Sequence, residues 1–171
     1  AALTEPFVAW CVSRCIRPSA GLFLSASMPC RDVDSFADTG GGGDGGRRLS
    51  NVSSNRGACG IDGVVSSAMG FAAGLRAPVT LLIGDMATLH DLSSFHALRG
   101  VDAACCPVTV VCVNNGGGGI FSFLPIAEPR HADAFSPLFD TPHAVDFEGV
   151  CLSMGLVYRR ASTAREFQEA F

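Results

Sequence analysis

Apolar positions change their spacing several times along the chain, and each change predicts an element. Phe7, Trp10, Cys11 and Cys15 fall at i, i+3, i+4 and i+8, the face of one helix. Thr4 stands where a hydroxyl caps the first turn, so a helix is expected to about Ile16. Gly-Leu-Phe-Leu-Ser (21–25) is a short buried strand, and Pro29 to Ala37 a helix with proline near its first turn. A short strand (49–53) and a helix (61–74) follow. Val79–Ile83 and Val108–Val113 are continuous β-branched runs, the pattern of central parallel strands buried on both faces. A helix over 89–98 lies between them. Helix 146–155, a short last strand Val157–Arg159 and a capping box Thr163-Ala-Arg-Glu166 complete the pattern.

Alternating strands and helices predict an α/β fold, a three-layer parallel sheet with helices on both faces. The final helix has no strand after it, so the sheet's last strand reads as truncated. Two stretches fall outside the alternation. Residues 39–48, beginning TGGGGDGG, have nothing to bury and read as a flexible glycine-rich insertion in one domain spanning 1–171. Pro125 to Phe147 reads as a long ordered loop over one edge.

Composition narrows the function. The chain has 171 residues, 48% of them hydrophobic and 16% charged, enough for one real core and too apolar for global disorder. A net charge of −4 without a basic run argues against nucleic acid. No apolar run reaches the ~18 residues of a membrane span, and no signal peptide is visible. The eight cysteines lack CxxC pairing and read as buried small hydrophobes in a reducing compartment. A start at Ala1 and a stop inside a helical pattern suggest a piece of a larger protein.

The candidate chemistry sits where two strands end. Val79–Ile83 runs into Gly84-Asp85, and Val108–Val113 runs into Asn114-Asn115 and four glycines. Ligands of open parallel sheets bind at the carboxyl ends of strands. A carboxylate, a side-chain amide and carbonyls on a glycine turn suit a hard divalent cation, which completes its shell with phosphate oxygens and water. Singly, Gly-Asp is a turn and Asn-Asn-Gly a loop; with 29 residues between Asp85 and Asn115 the pair is more specific.

That pair resembles the thiamine-diphosphate motif, GDG followed after about 25–30 residues by NN. SNRGACGIDG (54–63), GDMATLHDL (84–92) and NNGGGGIFSFLP (114–125) resemble the SEPHCHC synthase (MenD) family, in its C-terminal diphosphate-binding domain. Met86 replaces the third motif glycine, as in that branch. Ala26 and Gly116 stand where asparagine is usual.

The resemblance implies decarboxylation of 2-oxoglutarate on thiamine diphosphate and addition to isochorismate, giving 2-succinyl-5-enolpyruvyl-6-hydroxy-3-cyclohexene-1-carboxylate for menaquinone or phylloquinone. It assigns Mg²⁺ (or Mn²⁺) to the side chains of Asp85 and Asn115 and the carbonyl of Gly117. Gly84 and Met86 flank the cofactor, Ile61 is the apolar wedge that bends it, and the Cys59 carbonyl accepts from its aminopyrimidine. Ser27, Arg31 and Arg56 take substrate carboxylates, which guanidinium forks grip well. His90, His96, His131 and His143 lack metal spacing and read as structural. The family's activating glutamate lies on a pyrimidine-binding domain from the partner subunit. Glu5, Glu128, Glu148, Glu166 and Glu169 have no claim to that role, so the chain alone is expected to be inactive and the full-length protein a homo-oligomer. The compartment is plastid stroma in a photosynthetic eukaryote, otherwise cytoplasm. Another thiamine-diphosphate enzyme, such as an acetolactate synthase, and a non-catalytic remnant are the alternatives.

Overall fold

The apolar runs assemble as one parallel sheet in the order β2-β1-β3-β4, built from β1 (Gly21–Leu24), β2 (Asn51–Ser54), β3 (Val79–Gly84) and β4 (Val108–Val113). The structure, a computed structural model, describes residues 2–38, 49–55, 60–100 and 105–171. The helices are α1 (Glu5–Cys15), α2 (Met28–Phe36), α3 (Val64–Leu75), α4 (Asp85–His90), α5 (Ala132–Phe135), α6 (Phe147–Ser153) and α7 (Ala164–Ala170).

Strand side chains alternate between two cores, as period-2 geometry requires. Leu22, Leu24, Leu82 and Val111 pack with Val8, Val12 and Ile16 of the α1 layer and with Phe167 of α7. Phe23, Val79, Leu81 and Ile83 face Val64, Val65, Ala68 and Ala72 of α3 on the other side, with Phe95. Helices on both faces of a parallel sheet are therefore observed. Thr4 caps α1 by accepting from the Phe7 amide, and Thr163 with Glu166 forms both bonds of the capping box on α7.

Several expectations need correction. The fully buried face of α1 is Val8, Ala9, Cys11 and Val12; Phe7 and Trp10 are only partly covered and Cys15 is exposed. Cys105 is likewise exposed, so not every cysteine is a core hydrophobe. α3 starts at Val64 rather than 61, because Gly63 adopts a left-handed conformation (φ 66°) that sets residues 61 and 62 off the helix. The helix expected over 89–98 begins instead at Asp85, and after His90 the chain tightens into a 3₁₀ turn, Leu92–Arg99. Asp91 is the reason for the break. Its buried carboxylate accepts from the Val65 amide (2.6 Å) and the Ser94 hydroxyl (2.7 Å), capping α3 across the fold.

Among the described residues β4 is the outermost strand rather than a central one: no strand pairs with its outer side, and of its six residues only Val111 is buried. Val157–Arg159 is not a strand. It has no pairing partner among the described residues, and Val157 is 91% exposed. A groove of about 1230 Å³ separates this segment from β4, lined also by Phe147, Phe167 and Phe171. Residues 125–147 are less a loop than a chain of short helical turns, including α5 and a wide turn at Ser136–Asp140. The glycine-rich insertion at 39–48 lies outside the described residues. Among the described residues no helix is long and apolar enough to cross a membrane.

Candidate functional site

Parallel register puts the carboxyl ends of all four strands on one edge. Leu24 pairs with Leu82 and Ser54, and Gly84 pairs with Val113, so Ser25–Ser27, Asn55, Asp85 and Asn114–Asn115 follow at the same rim. The chain reverses its direction of travel across the sheet between β1 and β3, the place where such sheets form a crevice.

Asp85 is the centre of that rim. It opens α4 directly after β3 and is 2% exposed. Its Oδ1 accepts from the Met86 amide (2.7 Å). Its Oδ2 accepts from the amides of Gly116 (2.8 Å) and Gly117 (3.0 Å) and faces His143 Nε2 at 3.2 Å. The Val145 amide donates to His143 Nδ1 (3.3 Å), which leaves the ring proton on Nε2, pointing at the carboxylate. The imidazole stands edge-on to Phe147, 5.9 Å between ring centres.

The glycine turn wraps this carboxylate because only glycine fits it. Gly116 has φ 87° and Gly117 φ 157°, and a Cβ at Gly117 or Gly118 would strike the carbonyl oxygens of Asp140 and Phe139. The Gly118 amide donates to Asp140 O (2.6 Å), and the His143 amide donates to Gly116 O (3.2 Å). The wide helical turn at 136–140 thus clamps the site from behind. Asn115 is exposed; its Oδ1 accepts from the Gly117 amide (3.3 Å), and its Nδ2 donates to Glu5 Oε1 (3.0 Å).

The donor set fits a hard cation. A carboxylate offers about four lone-pair positions; three donors crowd Oδ2 and one occupies Oδ1, so Oδ1 keeps a position for a metal. Asn115 Oδ1 keeps one as well. Donors from Phe121 and His143 take the carbonyls of Gly118 and Gly116, while none of the described donors reaches that of Gly117. Among the described residues no cluster of three His, Cys, Asp or Glu is arranged for a metal, so a cation here would depend on mixed oxygen donors of the Mg²⁺ type.

The other predicted residues are placed less closely. Gly84 ends β3, its carbonyl accepting from Thr88 Oγ1 (2.9 Å), and Met86 Sδ is 3.8 Å from Thr141 Oγ1. Ile61 projects from the segment before α3, 39% exposed, an apolar side chain left without cover. Ser27 precedes α2 with φ 73° and ψ −136°, a conformation costing about 1–3 kcal/mol for a residue with a Cβ. Its carbonyl accepts from Arg31 Nη1 (3.0 Å), leaving most of that exposed guanidinium available. Two residues before Ser27, the buried Ser25 hydroxyl has no hydrogen-bond partner among the described residues, an orphan at the crevice. Ser27, Arg31 and Ile61 share the rim but make no hydrogen bond to the glycine turn. Arg56 and Cys59 lie outside the described residues.

Sequence spacing missed His143 and Glu5, which hydrogen-bond the side chains of Asp85 and Asn115. Neither belongs to a local motif: His143 is 58 residues from Asp85 and Glu5 is 110 from Asn115. Cys112 stands near the end of β4. Burial pushes its thiol up to about 11, and Thr88 Oγ1 donates to its sulfur.

Comparison with known proteins places these features in context. Residues 47–171 match the family described as thiamine pyrophosphate enzyme, C-terminal TPP binding domain. The 2-succinyl-5-enolpyruvyl-6-hydroxy-3-cyclohexene-1-carboxylate synthase of Rubrobacter xylanophilus is 48% identical over 169 residues, 99% of this chain and 27% of that protein. The same synthase of Prosthecochloris aestuarii is 43% identical over 169 residues, 99% of this chain and 28% of the relative. The chain therefore spans about a quarter of the length of these curated relatives. Among solved structures, the thiamine diphosphate-dependent 4-hydroxybenzoylformate decarboxylase of Rhodococcus jostii RHA1 superposes with a TM-score of 0.72 at 20% identity, covering 99% of this chain and 30% of that one. At that identity the likeness concerns the fold.

Proposed function

Because the chain belongs to the thiamine pyrophosphate enzymes through their C-terminal TPP-binding domain, we propose that it is the diphosphate- and metal-binding domain of a 2-succinyl-5-enolpyruvyl-6-hydroxy-3-cyclohexene-1-carboxylate synthase. The observation that carries the site is the Asp85–Asn115–Gly117 oxygen set at the carboxyl edge of the sheet. What carries the specificity is 48% identity over nearly the whole chain to a synthase of that name. β1 precedes the matched residues 47–171 yet lies inside the sheet, which supports reading 1–171 as one domain.

In this reading the protein decarboxylates 2-oxoglutarate and joins the remaining four-carbon unit to isochorismate, a carboligase of menaquinone or phylloquinone synthesis. Thiamine diphosphate supplies the electron sink when bound. Asp85, Asn115 and the Gly117 carbonyl would hold Mg²⁺ or Mn²⁺ for its diphosphate, with Gly84 and Met86 beside them. Ile61, exposed and apolar, would be the prop between the rings, and the Cys59 carbonyl would accept from the aminopyrimidine. Ser27, Arg31 and Arg56 bind substrate carboxylates, the strained Ser27 backbone being preset for that contact. The activating glutamate comes from a pyrimidine-binding domain across a homo-oligomer interface, so residues 1–171 alone are inactive. The compartment is cytoplasm, or plastid stroma in a photosynthetic eukaryote.

The test is an assay of the native full-length protein with thiamine diphosphate, Mg²⁺, 2-oxoglutarate and isochorismate, the product identified by mass. Product formation that Asp85→Ala abolishes is expected. Turnover of pyruvate in preference to 2-oxoglutarate would replace this reading with an acetolactate synthase. Failure to bind thiamine diphosphate in the presence of Mg²⁺ would leave a non-catalytic remnant of the fold.

A further inference from the structure

Asn115 poses a problem that the metal reading does not solve by itself. A carboxamide has two nearly isosteric ends, and only the oxygen can coordinate a cation. If Nδ2 turned toward the metal, it would present two protons and repel it. Something must select the rotamer, and the glycine turn does so only weakly: the Gly117 amide meets Oδ1 at 3.3 Å while sharing its single proton with Asp85 Oδ2 at 3.0 Å.

The selecting group stands on another element. Glu5, in the first turn of α1 behind the Thr4 cap, accepts from Asn115 Nδ2 through Oε1 at 3.0 Å. A carboxylate is purely an acceptor, so the contact is open to the amide nitrogen and closed to the amide oxygen. With Nδ2 fixed there, Oδ1 is turned back over the glycine turn, where it meets the Gly117 amide at 3.3 Å. Glu5 is itself restrained: Thr4 anchors the helix end that carries it, and its carboxyl also hydrogen-bonds the buried Asp32 of α2.

We propose that Glu5 is a positioning residue for the metal site, locking the Asn115 side chain with its oxygen toward the cation through the Nδ2–Oε1 hydrogen bond. Outer-shell partners of this kind orient a ligand without touching the metal, and losing one typically costs about 10- to 100-fold in metal affinity. The inference rests on the proposed function, since it presumes that Asn115 is a ligand.

The experiment is a calorimetric titration of Mg²⁺ into the native full-length protein at saturating thiamine diphosphate, for wild type, Glu5→Leu, Glu5→Gln and Glu5→Lys. Leu removes the acceptor and should raise the Mg²⁺ Kd about 10-fold or more. Gln keeps an oxygen that can accept from Nδ2, and should restore the Kd to within about 3-fold of wild type. Lys offers only donors, favours the flipped amide, and should be weakest of all. If Glu5 served only as an acidic residue at a helix start, Gln would lose the charge and fall with Leu. Gln falling with Leu, or Leu retaining wild-type affinity within about 2-fold, overturns the inference. Apo-state melting of the same variants identifies any that fail to fold, and Gln against Lys then decides. Asp85→Ala is the separate control. If it leaves Mg²⁺ binding intact, the site reading itself fails; if it abolishes binding while Glu5→Leu does not, only the role of Glu5 fails.

Discussion

Replacing Asp85 by Asn separates the structural duty of this carboxylate from any duty to a metal, because the structural duty exists without one. Four donors converge on it: the amides of Met86, Gly116 and Gly117 and His143 Nε2, between 2.7 and 3.2 Å. An amide has one oxygen. Placed where Oδ2 now lies, it can keep most of the three donors there, but its NH₂ then confronts the Met86 amide. Placed where Oδ1 lies, it abandons three. Even the better orientation loses one hydrogen bond to a charged acceptor, about 1.5–3 kcal/mol, and weakens the others. A loss of about 2–4 kcal/mol is therefore expected, concentrated at the Gly116 and Gly117 amides, whose other acceptors are the uncharged Asn114 Oδ1 (3.1 Å) and Asn115 Oδ1 (3.3 Å). Hydrogen exchange of the Gly116 and Gly117 amides in the metal-free native protein reads this directly. At about 1.4 kcal/mol per tenfold, those amides should exchange roughly 30- to 700-fold faster in Asp85→Asn. β3, buried beneath, should keep its protection. Exchange unchanged within about 3-fold would show that the turn holds itself, and that the convergence of donors on Asp85 is not what orders it.

Three further outcomes follow from other groups. Asp91→Ala removes the α3 cap at Val65 and leaves a buried amide without an acceptor, so urea unfolding should show a loss of about 2–3 kcal/mol, with Asp91→Asn losing less. Burial, with the Glu5 carboxyl beside it, pushes Asp32 from 3.8 up to about 6. The folded state thus binds this proton more tightly than the unfolded chain, so stability falls as pH rises from about 4 through about 6. Asp32→Asn should flatten that slope and gain about 1–3 kcal/mol at pH 8, read from urea midpoints across pH. Maleimide labelling of the native protein at pH 8 should modify the exposed Cys15 quickly and spare Cys112, whose thiol burial pushes up to about 11; labelling of both at one rate would contradict the placement of β4.

Most of the sheet was legible because its runs are short, apolar and bounded by turn residues. Val79–Ile83 needed no context to be a strand, and Gly84-Asp85 no context to be its carboxyl end. The errors share one feature: local pattern does not report what stands across the fold. Asp91 belongs to a convincing helical window, yet its side chain is committed to Val65, and the helix breaks there. Val157–Arg159 has strand composition, but composition does not supply a neighbour to pair with. β4 has the hydropathy of a central strand and an outer side left unpaired among the described residues. Periodicity reports what a segment would bury, not whether anything covers it.

The site divides in the same way. Asp85, Asn115 and Gly117 could be proposed from the sequence because chemistry and strand ends coincide locally. Their supports were not, since His143 arrives from the far end of a run of helical turns and Glu5 from the first helix. This division follows from how such a site must be built. A cation needs oxygens fixed in direction, whereas the glycines that let a backbone approach a diphosphate are the residues least able to fix anything. Rigidity has to be imported from packed elements. Here it comes from α1 through Glu5, and from the 136–143 segment through Asp140 and His143. The parallel register brings the proposed ligands to one rim, and the helical layers then hold them still. A variant can therefore keep every proposed ligand and still fail to bind metal, if it loosens α1 or the turn behind Gly117.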